Sequence, residues 1–299
     1  MQLRYGWLIL GLWAGAALAQ VPRVAQAPRV APVPSPVPPE VAMPRPNESE
    51  VAAARAGLDK ALARDDATRA LAGKYPGLLE VRPPVINSAI VPQLTPQFQM
   101  KHQDNLAVAA RGGIELLLMG DSITDFWRNA DGPYAGKAVL DAHFGQWKIA
   151  NFGIAGDTTQ GVLYRLQDGE GRGFSPRAIM LMIGTNNTAR NTAGEIAEGI
   201  GAVVLELKKD FPQAKILLLA VFPRGRPTDP VRGVIADINK RIAKLDDGKR
   251  VHYLDIGAKF LEPDGTISPE VMSDGLHPGP KGYEIWASAV KEQLTRLMQ

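Results

Sequence analysis

Residues 114–124 read IELLLMGDSIT, an apolar run that is interrupted only by Glu115 and is followed by a glycine, an aspartate and a serine. A short apolar run without polar alternation is typical of a strand that is covered on both faces of a sheet. Gly120 permits a tight turn at the end of this strand, so that Ser122 can present its hydroxyl at the rim of the sheet. Gly-Asp-Ser is also an ordinary turn and helix-cap sequence, and the G-x-S-x-G nucleophile elbow is absent. Ser122 is therefore a candidate nucleophile whose partners must be sought elsewhere in the chain.

Four more apolar runs follow along the chain, and amphipathic helical patterns separate them. The runs span residues 147–152, 178–183, 216–222 and 251–254. Thr192 and Glu195 have the spacing of a helix-capping box, a second apolar stripe runs from Val231 to Leu245, and a last helix is predicted to begin at Pro280. Strands that alternate with helices predict right-handed crossovers. We therefore expect a doubly wound, flavodoxin-like α/β fold, in which a five-stranded parallel sheet lies between two helix layers in a three-layer α/β/α arrangement.

The second and third predicted strands also end in polar or glycine-rich segments. Residues 151–159 read NFGIAGDTT, and residues 184–187 read GTNN. Glycines in the first segment, Gly156 among them, let backbone N–H groups approach a ligand closely. Asn186 is predicted to project its side-chain amide over the same rim as Ser122, although a helix-capping turn is the alternative interpretation. Ligands of such sheets bind beyond the carboxyl ends of the strands, so this rim is the expected site.

A histidine near the C-terminus adds a base to this pattern. Asp274 precedes His277 by three residues in a loop bounded by glycine and proline, where its carboxylate can turn onto the ring Nδ1–H and leave Nε2 as a base. A serine nucleophile needs such a base, because an alcohol is nearly unreactive until its proton is removed. The other three histidines, His102, His143 and His252, have only structural interpretations.

Together, these four segments resemble the sequence blocks of the SGNH hydrolases, also called the GDSL esterase/lipase family. Ser122 matches the serine of block I, Gly156 the glycine of block II, Asn186 the asparagine of block III, and Asp274 and His277 the Asp-x-x-His of block V. The strings NFGIAGDTTQGVLYRL, IGTNN, FPRGRP and DGLHPGPKGY are most similar to the catalytic subunits of intracellular platelet-activating-factor acetylhydrolase and to their bacterial relatives. The resemblance covers about residues 90–299 and implies the SGNH hydrolase fold.

The resemblance also implies a reaction, the hydrolysis of a carboxylic ester through an acyl-enzyme. Ser122 Oγ attacks the ester carbonyl while His277 accepts its proton, and Asp274 orients the imidazole and stabilises the imidazolium. Backbone N–H groups of Ser122 and Gly156 and the side-chain amide of Asn186 are then the expected oxyanion hole. This chemistry requires no metal ion and no organic cofactor.

Neighbours of these residues are the candidates for the acyl pocket. Ile123, Thr185 and Leu276 each adjoin a predicted catalytic residue. Branched side chains so close to the nucleophile favour a short acyl group, acetyl above all. In the alternative interpretation, Ile123 and Leu276 face the core. Arg224 and Arg226, in the loop after the fourth strand, are candidates for contact with a polar leaving group, although exposed arginines are usually only solvated.

The composition restricts the chemistry further. The 299 residues are 45% hydrophobic and 22% charged, as expected for a globular protein with a sizeable core. Cysteine is absent, which excludes disulfides, thiolate metal sites and cysteine nucleophiles. The net charge of +3 comes entirely from residues 1–47, so residues 48–299 are neutral and give no reason to expect a nucleic-acid partner.

The first 19 residues read MQLRYGWLILGLWAGAALA and resemble a secretory signal peptide that is cleaved after Ala19. An uncleaved membrane anchor is the alternative, but the apolar run that begins at Trp7 is shorter than the roughly 20 residues that a span needs. A lipoprotein anchor is excluded because the chain has no cysteine. We therefore predict an exported protein, periplasmic or secreted, with no stable membrane span after cleavage.

Three segments follow the predicted signal peptide. Residues 20–47 are rich in proline and are predicted to be a disordered linker. Residues 48–80 are rich in alanine and charged residues and predict a short helical segment, to which we assign no function. The hydrolase domain is expected to span residues 81–299.

These observations predict a serine esterase that removes short acyl groups from acetylated carbohydrate or from small esters. The nearest alternative is a lipid-directed acetylhydrolase, lysophospholipase or thioesterase, but a long acyl chain needs a deep apolar groove, and no excess of apolar loop residues indicates one. A non-catalytic protein that binds a component of the cell envelope is the alternative from another functional class.

The oligomeric state is left open. The animal relatives form dimers, so a homodimer is one alternative, although the sequence indicates no interface.

Overall fold

The computed structural model describes residues 33–74 and 86–299 of the chain. The predicted signal peptide, its cleavage site and the first part of the predicted linker lie outside the described residues. Within the described part, none of the helices is both long and apolar enough to cross a membrane.

Five parallel strands form a central sheet in the order β2-β1-β3-β4-β5. The strands are β1 (Leu116–Gly120), β2 (Ile149–Asn151), β3 (Ala178–Met182), β4 (Lys215–Leu219) and β5 (Val251–Leu254). Leu116 of β1 is in register with Ile149 of β2 on one side and with Ala178 of β3 on the other. Each strand lies within or beside an apolar run that predicted it, and the order is that of the flavodoxin-like folds. The predicted five-stranded parallel sheet is therefore confirmed.

Nine α-helices occur in the described part of the chain. They are α1 (Glu48–Arg64), α2 (Asp66–Lys74), α3 (Gln99–Arg111), α4 (Ser122–Asp125), α5 (Lys137–Phe144), α6 (Thr159–Arg165), α7 (Ala193–Asp210), α8 (Pro230–Ile242) and α9 (Pro280–Leu297). The predicted capping box begins α7, since Thr192 and Glu195 each accept a hydrogen bond from the other's backbone N–H. Pro230 and Pro280 stand in the first turns of α8 and α9, where proline leaves no helical hydrogen bond unmade.

Alternate side chains of the buried strands enter two separate apolar clusters. Leu117 and Met119 of β1 pack with residues of α6, α7 and α8 on one face of the sheet. Leu116 and Leu118 pack with residues of α5 and α9 on the other face. Because successive side chains of a strand point to opposite faces, a wholly apolar strand needs a helix layer on each side. This arrangement confirms the three-layer α/β/α fold, and it leaves the carboxyl ends of the strands available for a site.

The described part of the proline-rich segment, residues 33–47, packs on the domain, which differs from the disordered linker predicted for residues 20–47. Glu198 of α7 is fully buried and accepts hydrogen bonds from the Met43 backbone N–H (2.8 Å) and from the guanidinium of Arg45. A buried carboxylate requires such partners, and this requirement orders the segment. The proline pattern gave no sign of it, because the partners lie 153–155 residues apart in the chain. The two helices that follow are α1, which has no buried residue, and α2.

Candidate active site

Ser122 is the first residue of α4 and is separated from the end of β1 by Asp121 alone. Asp121 caps this short helix, because its Oδ1 accepts a hydrogen bond from the Ile123 backbone N–H at 3.0 Å. Gly120 is required before the turn, since a Cβ there would lie 2.3 Å from the carbonyl oxygen of Met182. The strand, the glycine and the cap together place Ser122 at the rim of the sheet, as the sequence predicted.

Asp121 itself is an unusual neighbour for a nucleophile. Its side chain is fully buried, and its Oδ2 has no hydrogen-bond partner among the described residues. Burial, with a smaller contribution from the negative charge of Asp157, raises the pKa of Asp121 to about 7. The group next to Ser122 therefore holds a proton to a much higher pH than an ordinary aspartate does.

His277 and Asp274 form a continuous chain of hydrogen bonds with Ser122. The Nε2 atom of His277 lies 2.9 Å from Ser122 Oγ, and its Nδ1 atom lies 2.6 Å from Asp274 Oδ2. Asp274 Oδ1 accepts the backbone N–H groups of His277 (2.8 Å) and Leu276 (3.0 Å). Although burial opposes ionisation of Asp274, the hydrogen bonds from His277 and the neighbouring groups lower its pKa to about 2. The structure thus brings these three predicted residues together, with an ionised carboxylate at the end of the chain.

Two aromatic residues that the sequence analysis missed surround this histidine. The hydroxyl of Tyr134 donates a hydrogen bond to Asp274 Oδ2 at 3.0 Å. The rings of Phe126 and Tyr134 are stacked, and the His277 ring lies 5.1 Å from the first and 5.2 Å from the second, between centroids. Tyr134 is 140 residues from Asp274 in sequence, and no local motif marks it. The aromatic pair restricts the orientation of the imidazole that Asp274 holds.

Gly156 and Asn186 lie in the walls of one cleft beyond the strand ends. Gly156 has φ of +85°, a conformation that favours glycine, and a Cβ there would lie 3.4 Å from the ring of Phe98. One N–H of the Asn186 side-chain amide donates to the carbonyl oxygen of Asp157 at 2.8 Å. This hydrogen bond ties the loop after β2 to the turn after β3, so the two predicted oxyanion segments are held side by side.

The structure corrects part of the predicted acyl pocket. Ile123 is 1% exposed and packs in the apolar cluster beneath the sheet, which is the alternative that the sequence left open. Successive residues of a helix point about 100° apart, so a Ser122 that faces the rim turns Ile123 towards the core. Thr185 is also buried, at 1% exposed, whereas Leu276 is half-buried beside the same cluster. Of the three, Leu276 alone keeps surface at the rim.

The two arginines after β4 have different surroundings. Arg224 donates to Thr188 Oγ1 at 2.7 Å and thereby braces the turn that carries Asn186. The side chain of Arg226 is 84% exposed and pairs with Asp229. Arg224 is therefore a structural neighbour of the site, and Arg226 has the solvated position that the sequence left as its alternative.

A buried ionic network supports the loop that carries Gly156. Arg165 of α6 is fully buried and binds Asp157 (2.9 Å) as well as Glu170. Glu170 in turn accepts from His102 Nδ1 at 2.8 Å, and Asp168 lies 2.8 Å from the other ring nitrogen of His102. The network joins α3, α6 and the residue that follows Gly156. His102, for which the sequence indicated only a structural role, is a member of it through both ring nitrogens.

This network predicts a pH-dependent stability. Burial acts against the imidazolium of His102, but the hydrogen bonds to Glu170 and Asp168 outweigh it, so its pKa is raised. A raised folded-state pKa contributes stability that is complete below the unfolded value of about 6.5 and is lost as the pH rises through the folded value. The difference in Tm between the wild type and His102→Gln should therefore be largest at about pH 6 and smaller at about pH 9. Calorimetry across this pH range measures the Tm difference, and His252→Gln is the control, because it also removes an imidazole. A gap that stays constant or widens with pH would refute the paired imidazolium.

Comparisons with known proteins agree with this arrangement. Residues 118–285, which include Ser122 and His277, match the model of the GDSL-like lipase/acylhydrolase family. Platelet-activating factor acetylhydrolase IB subunit alpha1 of Rattus norvegicus is 34% identical to this chain over 185 residues, which are 62% of this chain and 76% of the rat protein. The alpha2 subunit of Homo sapiens is 34% identical over 186 residues, with 62% and 78% covered.

Solved structures share the fold. A GDSL-like lipase from Bacteroides thetaiotaomicron aligns with a TM-score of 0.51 at 19% identity, covering 67% of this chain and 97% of that one. A member of the lipolytic protein G-D-S-L family from Veillonella parvula aligns with a TM-score of 0.52 at 20% identity, covering 61% and 98%. The family match spans more than half of the chain and runs from within β1 past the end of β5. The chain therefore belongs to the GDSL-like lipase/acylhydrolase family and is a carboxylic ester hydrolase.

Proposed function

We propose that this hydrolase removes short acyl groups, acetyl above all, from small or carbohydrate esters, with Ser122 as nucleophile, His277 as general base and Asp274 as the partner of His277. The observation that carries the proposal is the unbroken hydrogen-bond chain of 2.9 Å and 2.6 Å between these three side chains. A base in direct contact with the hydroxyl supplies what a serine lacks as a nucleophile.

In the acylation half of the reaction, Ser122 Oγ adds to the carbonyl carbon of the ester while His277 Nε2 takes the hydroxyl proton. The carbonyl oxygen becomes an oxyanion, which the backbone N–H groups of Ser122 and Gly156 and the amide of Asn186 would receive. When the tetrahedral intermediate collapses, the ester C–O bond breaks and His277 gives its proton to the leaving alcohol. The acyl group remains on Ser122.

In the deacylation half, His277 removes a proton from a water molecule as its oxygen adds to the acyl carbon. The bond to Ser122 Oγ then breaks, Ser122 recovers its proton from His277, and the carboxylic acid leaves. Asp274 stays ionised throughout, because its pKa is held at about 2. It stabilises the imidazolium that forms in each half without itself taking a proton.

Three observations support a small acyl group. Ile123 is packed in the core and Thr185 is buried, so neither side chain offers an exposed apolar surface beside Ser122, and the cleft at Gly156 and Asn186 is lined mainly by polar side chains. The rat and human relatives are named acetylhydrolases. Their names also refer to platelet-activating factor, which makes a lipid acetate the second candidate substrate.

A series of acyl chain lengths tests the size of the acyl pocket. For p-nitrophenyl esters, kcat/KM should be highest for acetate and should fall by about tenfold or more by the octanoate, because added methylenes would have to displace packed side chains. Leu276→Ala should reduce this discrimination, since Leu276 alone among the predicted pocket residues keeps surface at the rim. A preference for octanoate or palmitate over acetate in the wild type would contradict the proposal.

A further inference from the structure

A polar cleft of about 480 Å³ lies beside the proposed oxyanion residues. One wall consists of residues 93–98, the second of the loop at Gly156 and the start of α6, and the third of the turn that carries Asn186. We propose that this cleft is the subsite for the alcohol part of the ester and that it is built to hold a saccharide. The inference rests on the proposed function, because it takes Ser122 as the nucleophile beside which the alcohol must lie.

The chemistry of the walls favours a polyhydroxylated group. Six side-chain amides line the cleft: Gln93, Gln97, Gln160, Asn186, Asn187 and Asn191. An amide offers both a donor and an acceptor, which matches the hydroxyl groups of a sugar, each of which donates and accepts. An acyl or alkyl chain in the same space would strip these amides of water without replacing their hydrogen bonds. The volume is in the range of small-molecule sites and is far larger than an acetyl group needs.

The floor of the cleft is rigid, whereas some groups at its rim have no partner. Asn187 receives the Thr159 backbone N–H at 3.0 Å and donates to Gln160 Oε1 at 2.9 Å. These bonds orient the Gln160 amide and leave its Nε2 without an acceptor among the described residues. The exposed guanidinium of Arg190 likewise has neither a hydrogen bond nor an ion pair within the part of the chain that the structure describes. A fixed amide donor and an unpaired cation at one opening are suited to hydroxyl or ring oxygens of a ligand.

The first wall is supplied by a segment that precedes the family match at residues 118–285. The Gln93 backbone N–H donates to the carbonyl oxygen of Gln160 at 3.0 Å, and Phe98 is buried beside Gly156. Asn191 donates to Ser88 Oγ at 2.9 Å from the opposite wall. Residues 88–98 are therefore hydrogen-bonded to both other walls, and they make the alcohol subsite a feature of this chain beyond the matched family core.

The test compares two substrates of the full-length protein by acetate release. Chemically acetylated cellobiose has an alcohol part that would occupy the cleft, whereas the alcohol part of methyl acetate is a single methoxy group without a hydroxyl for the cleft to bind. In Arg190→Gln and in Gln160→Leu, the ratio of kcat/KM for acetylated cellobiose to that for methyl acetate should fall by about tenfold. Arg296→Gln, which removes an exposed arginine near the end of α9, is the matched control and should keep the wild-type ratio.

An unchanged ratio in both variants, or an equal loss on both substrates, would overturn the proposed subsite. So would a wild type that hydrolyses an acetylated lysophospholipid but not acetylated cellobiose. The proposed function fails separately, if Ser122→Ala hydrolyses both substrates at the wild-type rate. If hydrolysis depends on Ser122 but the ratio of the two kcat/KM values is unchanged in Arg190→Gln and Gln160→Leu, only the proposed subsite is refuted.

Discussion

Replacement of Ser122 by alanine is expected to lower kcat by about 10⁴- to 10⁶-fold while the protein stays folded. The change removes one oxygen atom, and the elements that position residue 122 do not depend on it. Asp121 still caps α4 through the Ile123 backbone N–H, and Gly120 still makes the turn. What is lost is the atom that lies 2.9 Å from His277 Nε2 and that would carry the acyl group. Hydrolysis of p-nitrophenyl acetate and labelling by a fluorophosphonate measure the loss, and circular dichroism with the Tm reports the fold.

Ser288→Ala is the control for this experiment, because Ser288 is an exposed serine of α9 that bonds to Glu284 and should leave both activity and labelling unchanged. The double variant Ser122→Ala/His277→Ala gives a sharper test. If the two residues act as one unit, the second substitution should add little to the loss caused by the first. Wild-type hydrolysis or labelling in Ser122→Ala would exclude Ser122 as the nucleophile.

The parts of this site that could be predicted from the sequence depend on local patterns and on one topological rule. Asp274 and His277 are three residues apart, so their hydrogen bond follows from the loop that contains both. Ser122 and His277 are 155 residues apart. The topological rule predicted Ser122 at the carboxyl edge of the sheet, whereas His277 lies in the loop before α9 and was paired with Ser122 through the resemblance to the SGNH blocks.

The parts that could not be predicted depend on contacts between distant segments without a motif. Tyr134 lies in a loop between helices and contacts Asp274, which is 140 residues away in sequence. No sequence motif links the two loops. Glu198 orders the proline-rich segment because it is buried, and burial of a single glutamate on a long helix cannot be recognised from sequence. Ile123 was placed wrongly for another reason: a neighbour in sequence of the nucleophile need not be a neighbour of the substrate once the chain turns into a helix.

Replacement of Asp274 by asparagine is expected to lower kcat by about 10⁴-fold, the cost of the equivalent change in a serine-protease triad. In the wild type, Oδ2 accepts the Nδ1–H of His277 and Oδ1 accepts two backbone N–H groups. An amide has only one oxygen to offer. If that oxygen keeps the two backbone N–H groups, the NH₂ group faces Nδ1 and favours the tautomer in which Nε2 carries the proton. The base would then point a hydrogen at Ser122 and could not accept one.

Tyr134→Phe separates this effect from a general loosening of the loop. It removes one hydrogen bond to Asp274 Oδ2 but keeps the stacked ring, and it should lower kcat by about threefold to tenfold. The pH dependence of Asp274→Asn gives a second test. Because the pKa of Asp274 is lowered to about 2, the carboxylate contributes fully above about pH 4, and its contribution falls only as the pH drops towards 2. The loss in Asp274→Asn should therefore persist across the range from about pH 6 to pH 8. A deficit that disappears within this range, or one no larger than that of Tyr134→Phe, would mean that Asp274 positions the loop and does not hold the imidazole in its reactive tautomer.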